Sequence, residues 1–269
     1  MALIEVFGYL SALVIGIALG LIGGGGSILA VPALAYLFAI NEKVATAYSL
    51  FIVGTSALLG GIKQHIKGYV DWRTAFVFGL PAILGVTAVR YFVVPALPEI
   101  FFSIGTFELT RRMAMFGLFG LLMFPAAYAM LKDQSLTPKM GNEGKKFNYL
   151  LILLEGLLVG GVTGLIGAGG GFLIIPALVI LAKVEMKVAV GTSLIIIAFK
   201  SLFGFFLGDA FNITIDWVFL STFTLISLGG IFIGNYLSNV INNNKLKQGF
   251  GYFIYFMAIF IFVMEFVVK

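Results

Sequence analysis

Gly20-Leu21-Ile22-Gly23-Gly24-Gly25-Gly26-Ser27-Ile28-Leu29-Ala30-Val31-Pro32-Ala33-Leu34 is a stretch that no helix carries unbroken. It returns as Gly164-Leu165-Ile166-Gly167-Ala168-Gly169-Gly170-Gly171-Phe172-Leu173-Ile174-Ile175-Pro176-Ala177-Leu178. Glycine loses the most backbone entropy on ordering, so a glycine run ends a helix. Both copies lie inside long apolar stretches. A helix broken within a bilayer must satisfy its freed backbone groups against protein or a polar cavity. Two breaks at matching positions of two halves point to a binding site near the bilayer midplane.

Composition agrees with a membrane setting. The 269 residues are 61% hydrophobic and 11% charged, and the mean hydropathy is +1.10. That predicts an all-α polytopic membrane protein, with the lipid bilayer as its solvent. The net charge of +5 fits basic loops. No basic stripe interleaved with aromatics is present, so nucleic acid is not an expected partner. With no cysteine, thiol redox chemistry and cysteine metal sites are excluded. Met1-Ala2-Leu3-Ile4-Glu5 lacks a basic n-region, so the first apolar run is expected to be a retained helix.

Ten apolar segments can be drawn, at about 3–22, 27–40, 44–62, 74–94, 113–131, 148–166, 171–184, 188–207, 217–238 and 248–268. The second and seventh fall short of the ~20 residues a span requires and read as return arms of re-entrant hairpins. The repeat extends beyond the glycines. At an offset of 144, Lys43-Val44-Ala45 meets Lys187-Val188-Ala189 and Ser49-Leu50 meets Ser193-Leu194. After a one-residue insertion Asp71-Trp72 meets Asp216-Trp217 and Tyr91 meets Tyr236. Residues 1–131 and 148–269 thus read as two transmembrane repeats of about five segments, joined by a polar linker at 132–147. If each break turns the chain back, eleven Lys and Arg residues fall on one side and four on the other. If each break lies within one straight span, the division is eight to seven. The positive-inside rule prefers the first. It predicts inverted repeats whose glycine-rich hairpins meet near the midplane, with termini outside and the linker in the cytoplasm.

The candidate chemistry gathers at the breaks. Helices starting at Ser27 and Phe172 would present unpaired N–H groups and positive dipole ends. Glycines before them would let an anion touch the backbone. Gly24, Gly25, Gly26, Ser27, Gly169, Gly170 and Gly171 are therefore candidate contacts. Gly16, Gly20, Gly160 and Gly164 instead fit small-xxx-small helix packing. Ser49 and Ser193, with Thr192 beside the latter, follow the short arms. Their hydroxyls either donate to the same anion or bond their own helix backbone. Lys200 lies in an apolar helix two turns past Ser193. It either holds the anion or lines its path, or else it snorkels or pairs with Asp209 or Asp216. Arg90, near a segment end, is expected to snorkel. Glu155 is the candidate carrier of a coupling proton. His65 is expected to be solvated.

Other chemistries are absent. There is no Walker A sequence, no His-Glu-x-x-His motif and no Gly-x-Ser-x-Gly element. One histidine cannot build a zinc site. No cofactor, metal site or enzyme activity is expected.

The glycine runs each followed by proline, together with Gly191-Thr192-Ser193-Leu194 and the stretch from Gly54-Thr55-Ser56-Ala57-Leu58 to Gly68-Tyr69-Val70-Asp71-Trp72-Arg73, resemble the sulfite exporter TauE/SafE family over nearly the whole chain. The resemblance implies a secondary transporter of a small sulfur oxyanion or organosulfonate in a prokaryotic cytoplasmic (inner) membrane. Alternating access would occur around the two breaks. Lys200 stands where the family leads one to expect an uncharged polar residue, and so implies a more anionic or longer substrate. Competing readings are an anion channel or facilitator for another organic anion, and a non-transport intramembrane enzyme or assembly factor. Monomer and homodimer both stay open.

Overall fold

Each glycine run reverses the chain. In the computed structural model, which describes residues 2–104, 107–132, 149–167, 169–181 and 184–267, helix α1 (Ala2–Ile22) stops at Gly23, whose φ is +71°. Such a φ is open to glycine at little cost. A 3₁₀ stretch, Gly23–Leu29, leads into α2 (Ala30–Pro32) and a π-helical turn, Ala33–Leu37. Gly26 lies on Leu19 and the Phe38 ring lies on Gly8, so the arm runs back along α1. In the second half, α6 (Tyr149–Ile166) stops at Gly167, also at φ +71°. It is followed by Gly169 and Gly170 at +62° and +73°. Helix α7 (Gly171–Pro176) and the π turn Ala177–Leu181 follow. The two π turns stand 144 residues apart, at the repeat offset.

Longer helices complete the halves. The first has α3 (Glu42–Ile66), α4 (Trp72–Ala96) and α5 (Arg111–Leu131). The second has α8 (Met186–Asp209), α9 (Trp217–Val240) and α10 (Asn243–Phe266). Among the described residues six helices are long and apolar enough to cross a membrane, so the chain is a multi-pass membrane protein. Asp71 caps α4 by accepting from Arg73 and Thr74 N–H. Asp216 caps α9 by accepting from Val218 and Phe219 N–H. Sequence reading assigned nothing to the segment between α4 and α5. It carries two antiparallel strands, β1 (Ile100–Ile104) and β2 (Phe107–Thr110), made of the β-branched and aromatic residues that favour them. The 132–147 linker lies almost wholly outside the described residues.

Packing between the halves is reciprocal. Helix α1 packs on α9, and α4 on α6. Gly16 faces Gly230, and Gly20 faces Gly234. Gly156 faces Phe78, and Gly160 faces Ala82. Both pairs therefore run parallel, in contact through the small-residue stripes read from the sequence. Helix α3 packs on α8 and α5 on α10. Here Gly54 faces Leu202 and Gly61 faces Ile195; Gly120 faces Phe262 and Gly251 faces Met130. These two pairs run antiparallel. Helices α3 and α8 are the most deeply buried spans.

Candidate functional site

The two breaks touch backbone to backbone between α3 and α8. A Cβ on Gly171 would overlap the main chain of Gly24, and a Cβ on Gly24 would overlap Gly171 and Ile197. Each break also meets the other half's central helix. Gly23 lies against Val190 and Ser193 of α8; Gly169 lies against Val53 of α3 and Ser27 of the first break. Gly26 serves the hairpin, packing on α1. Gly25 lies within the 3₁₀ stretch.

The expected helix start at Ser27 is overturned. The 3₁₀ stretch runs through Ser27, and α-helix begins only at Ala30, whose N–H donates to Ser27 O. The short polar residue bonds locally, and its Oγ donates to Gly24 O at 2.6 Å. The second break differs. There Gly170, in left-handed conformation, precedes α7, and its carbonyl accepts from both Leu173 and Ile174 N–H.

The hydroxyls divide. Ser193 Oγ donates to Val190 O at 2.9 Å, so the bond to its own helix holds there. Thr192 Oγ1 accepts from Asp71 N–H at 2.9 Å and fastens the α3–α4 loop. Ser49 is fully buried, and among the described residues its Oγ has no partner.

Lys200 reaches the second break. It is fully buried, its Nζ donates to Thr163 Oγ1, and Thr163 donates in turn to Gly160 O at 3.2 Å. A Cβ on Gly170 would stand 2.6 Å from Lys200 Nζ. The expected pairing of Lys200 with Asp209 or Asp216 does not occur. Asp216 caps α9, and Asp209 is taken by Arg90. Among the described residues no carboxylate pairs with Lys200. Glu155 is half-buried on α6. It lies eight residues before Thr163, ~12 Å along the helix, and is not brought to the break.

Arg90 does not snorkel. Its side chain is fully buried; Gly208 lies against its stem and Gly167 against Nη2. Nη1 donates to Thr46 Oγ1 at 3.1 Å and to Asp209 at 3.3 Å. Sequence reading missed this pair, and Thr163 with it. The signal was present in part, since Arg90 is an ionisable residue inside the apolar segment 74–94 and Asp209 lies two residues past the end of the segment 188–207.

Comparison with known proteins agrees with this architecture. Residues 9–261 match the family described as sulfite exporter TauE/SafE. A probable membrane transporter protein of Xylella fastidiosa strain 9a5c is 31% identical over 92% of this chain and 90% of its own length. One of Methanocaldococcus jannaschii is 33% identical over 71% of this chain and 67% of its own. No solved structure matches the chain. With a family match that spans nearly its whole length and the glycine breaks at its centre, this multi-pass membrane protein belongs to the sulfite exporter TauE/SafE family.

Proposed function

We propose that the protein is a secondary transporter of a small sulfur oxyanion or organosulfonate, working by alternating access around the two glycine breaks. The observation that carries this reading is Lys200. Among the described residues the fully buried Lys200 has one partner, the Thr163 hydroxyl, and a charge held there is costly in an apolar interior unless an anion joins it. Its Nζ and the Thr163 side chain occupy the space beside Gly170 that a Cβ would take, which sets the charge-bearing group directly on the second break. Ser49, whose hydroxyl has no partner among the described residues, is a second polar group, offered from α3. Gly24 and Gly171 let the two hairpins approach, and Ser27 and Ser193 hold the backbone of their own elements around them.

The halves are proposed to be inverted repeats in the cytoplasmic membrane, with the linker inside and the termini outside. Two lines of argument support this. The charge count favours it, and the packing directions suit it. Five passes in each of two inverted units require α1 parallel to α9, α4 parallel to α6, and α3 and α5 antiparallel to α8 and α10. Eight straight passes would set α3 and α8 parallel. The family's description supplies the sulfur chemistry, and the curated relatives bear only the name of probable transporters.

The test is uptake into proteoliposomes of the purified chain, offered sulfite, thiosulfate, sulfate, taurine, sulfoacetate and acetate, with and without a proton gradient. Saturable flux of a sulfur anion is the expected result. Absence of flux for every member, in liposomes shown to hold folded protein, overturns the reading. Lys200→Ala is expected to slow divalent anions more than monovalent ones.

A further inference from the structure

We propose that the groove between α1 and α10 is a binding site for one anionic phospholipid of the bilayer, with an acyl chain laid along the groove and the phosphate held by Lys245 and Lys187. The starting point is the first hairpin. Its return arm, Gly23–Leu37, is shorter than the ~20 residues of a span and does not fill the space between α1 and α10. Two cavities occupy that space. One of about 420 Å³ is lined by Leu10, Val14, Leu29, Tyr36, Phe256 and Phe260, among others. The other, of about 390 Å³, is lined by Val14, Ala18, Ile22, Leu29, Lys245 and Gly249, among others. Val14 and Leu29 belong to both, so the two form one groove. From Lys245 to Phe260 it runs ~22 Å along α10. One leaflet's hydrocarbon is ~15 Å deep, so the groove takes an acyl chain at full length.

The groove is open to lipid along its side. Leu10, Val14 and Phe256 on its rim are each half exposed or more. A Cβ on Gly249 would meet no atom within 4 Å. One end is closed, because Phe260 meets the Tyr36 ring edge-on at 6.0 Å and the Tyr36 hydroxyl donates to Glu265 at 2.8 Å. At the second hairpin the last helix of the other repeat lies closer. There α5 packs on both α6 and α7, and the Phe119 ring meets Phe172 at 5.2 Å.

The other end is basic. Lys245 lines the groove there, and the adjacent Leu246 lines both the groove and a small polar cavity bounded by Gln64, Tyr69, Lys187 and Ser238. Groove and polar cavity thus meet across one leucine. Lys187 stands among like charges. The Lys67 ammonium is held below its usual value by partial burial and then by the charges of Lys63 and Lys187. Among the described residues no carboxylate, Glu185 at the head of α8 included, forms an ion pair with Lys187 or Lys245. Basic pockets between membrane helices suit anionic headgroups. An apolar groove that ends at two such lysines matches a phospholipid in both its parts. A second copy of the chain fits less well. A two-fold contact sets one patch against itself, so Lys245 would meet Lys245 at the same depth with no anion between them.

The test is native mass spectrometry of the purified full chain in detergent, titrated with dioleoyl phosphatidylglycerol, dioleoyl phosphatidylcholine or glycerol 3-phosphate. Wild type is expected to bind one phosphatidylglycerol about 10-fold more tightly than phosphatidylcholine, the weight of two lysines beside one anionic headgroup. Glycerol 3-phosphate, which has no acyl chain, is expected not to bind at the same concentration. The double variant Lys187→Gln with Lys245→Gln is expected to bring the ratio to about 1 and to leave phosphatidylcholine binding as in wild type. Gly249→Trp sets an indole in the open groove and is expected to weaken both lipids about 10-fold, the loss of two buried methylenes or so. A ratio near 1 in wild type, or one unchanged in the folded lysine variant, overturns the headgroup site. Lipid binding unchanged in folded Gly249→Trp overturns the groove. Glycerol 3-phosphate bound as tightly as the lipid would mean a site for free phosphate, and a dimer in place of the lipid-bound monomer would mean that a second copy fills the groove; either overturns the proposal. Each of these outcomes leaves the transport reading standing.

Discussion

Two polar pairs, equivalent when counted from Asp71 and Asp216, are buried across the two halves, and they differ in charge. In the first, Gln64 and Asn235 share one amide hydrogen bond between α3 and α9. In the second, Asp209 and Arg90 share an ion pair between α8 and α4. A second contrast lies nearby. Ser56 pairs with Ser227 at 3.1 Å, whereas Lys200, at the matching position, pairs with Thr163. One scaffold thus serves twice, once with neutral groups and once with charge. Helix packing and reversal of the chain need only the neutral version, since the first break forms beside it. The charge beside the second break therefore serves something other than folding, which is why the substrate reading rests there.

The comparison breaks most readily at the pairs themselves. Arg90→Gln leaves the Asp209 carboxylate buried without its cation, and loss of one partner of a buried ion pair costs about 3–5 kcal/mol. Gln64→Leu leaves one amide oxygen of Asn235 unsatisfied, at about 1–3 kcal/mol. Thermal unfolding of both variants in detergent is expected to show the larger loss for Arg90→Gln. Equal losses would mean that the two pairs carry the same structural load and that the charge has no separate meaning.

The contact of the breaks comes next. Gly171→Ala puts a Cβ into the main chain of Gly24, which cannot yield as a side-chain tip does. Overpacking of this kind costs about 1–3 kcal/mol. Gly79→Ala, where the nearest atom to the new Cβ is Ile196 Cγ1 at 3.7 Å, is the control and is expected to unfold like wild type. A tolerant Gly171→Ala would show that the breaks do not meet as closely as described.

Much of this was legible in the sequence, for physical reasons that differ by element. The breaks were visible because only glycine takes φ near +71° at Gly23 and Gly167 without strain. The helix pairs were foreshadowed by Gly16, Gly20, Gly160 and Gly164, since close backbone approach requires small residues at every fourth position. The one-residue insertion between the repeats was visible as a shift from 144 to 145. Its outcome was not visible. The extra residue is taken up by the π turn Phe205–Asp209, which carries Asp209 to Arg90. Side-chain partners across the halves were the least legible. Lys200 had Asp209 and Asp216 within reach along its own chain, yet Thr163 and Arg90, each set by packing between helices far apart in sequence, determine which bonds form. Ser27 illustrates the same limit locally. A serine after glycines suits a helix start, but a 3₁₀ stretch offers its hydroxyl the carbonyl of Gly24 instead.

The smallest expected effect tests where the halves should behave alike. Asp71 N–H donates to Thr192 Oγ1 at 2.9 Å, and Asp216 N–H donates to the Tyr48 hydroxyl at 2.7 Å. Thr192 matches Tyr48, and Asp71 matches Asp216, so each half fastens the capping residue of the other half's long helix with a hydroxyl from its own central helix. The two side chains differ in size but perform one bond each. Thr192→Val and Tyr48→Phe remove that bond while keeping the apolar bulk, and each is expected to cost about 1 kcal/mol. Because the sites are far apart and share no partner, the double variant is expected to lose the sum of the two within ~0.5 kcal/mol. A strongly unequal pair of losses would mean that the reciprocity of the halves stops at the backbone. Equal and additive losses would confine their asymmetry to the charged groups around the second break, where Lys200 and Arg90 stand.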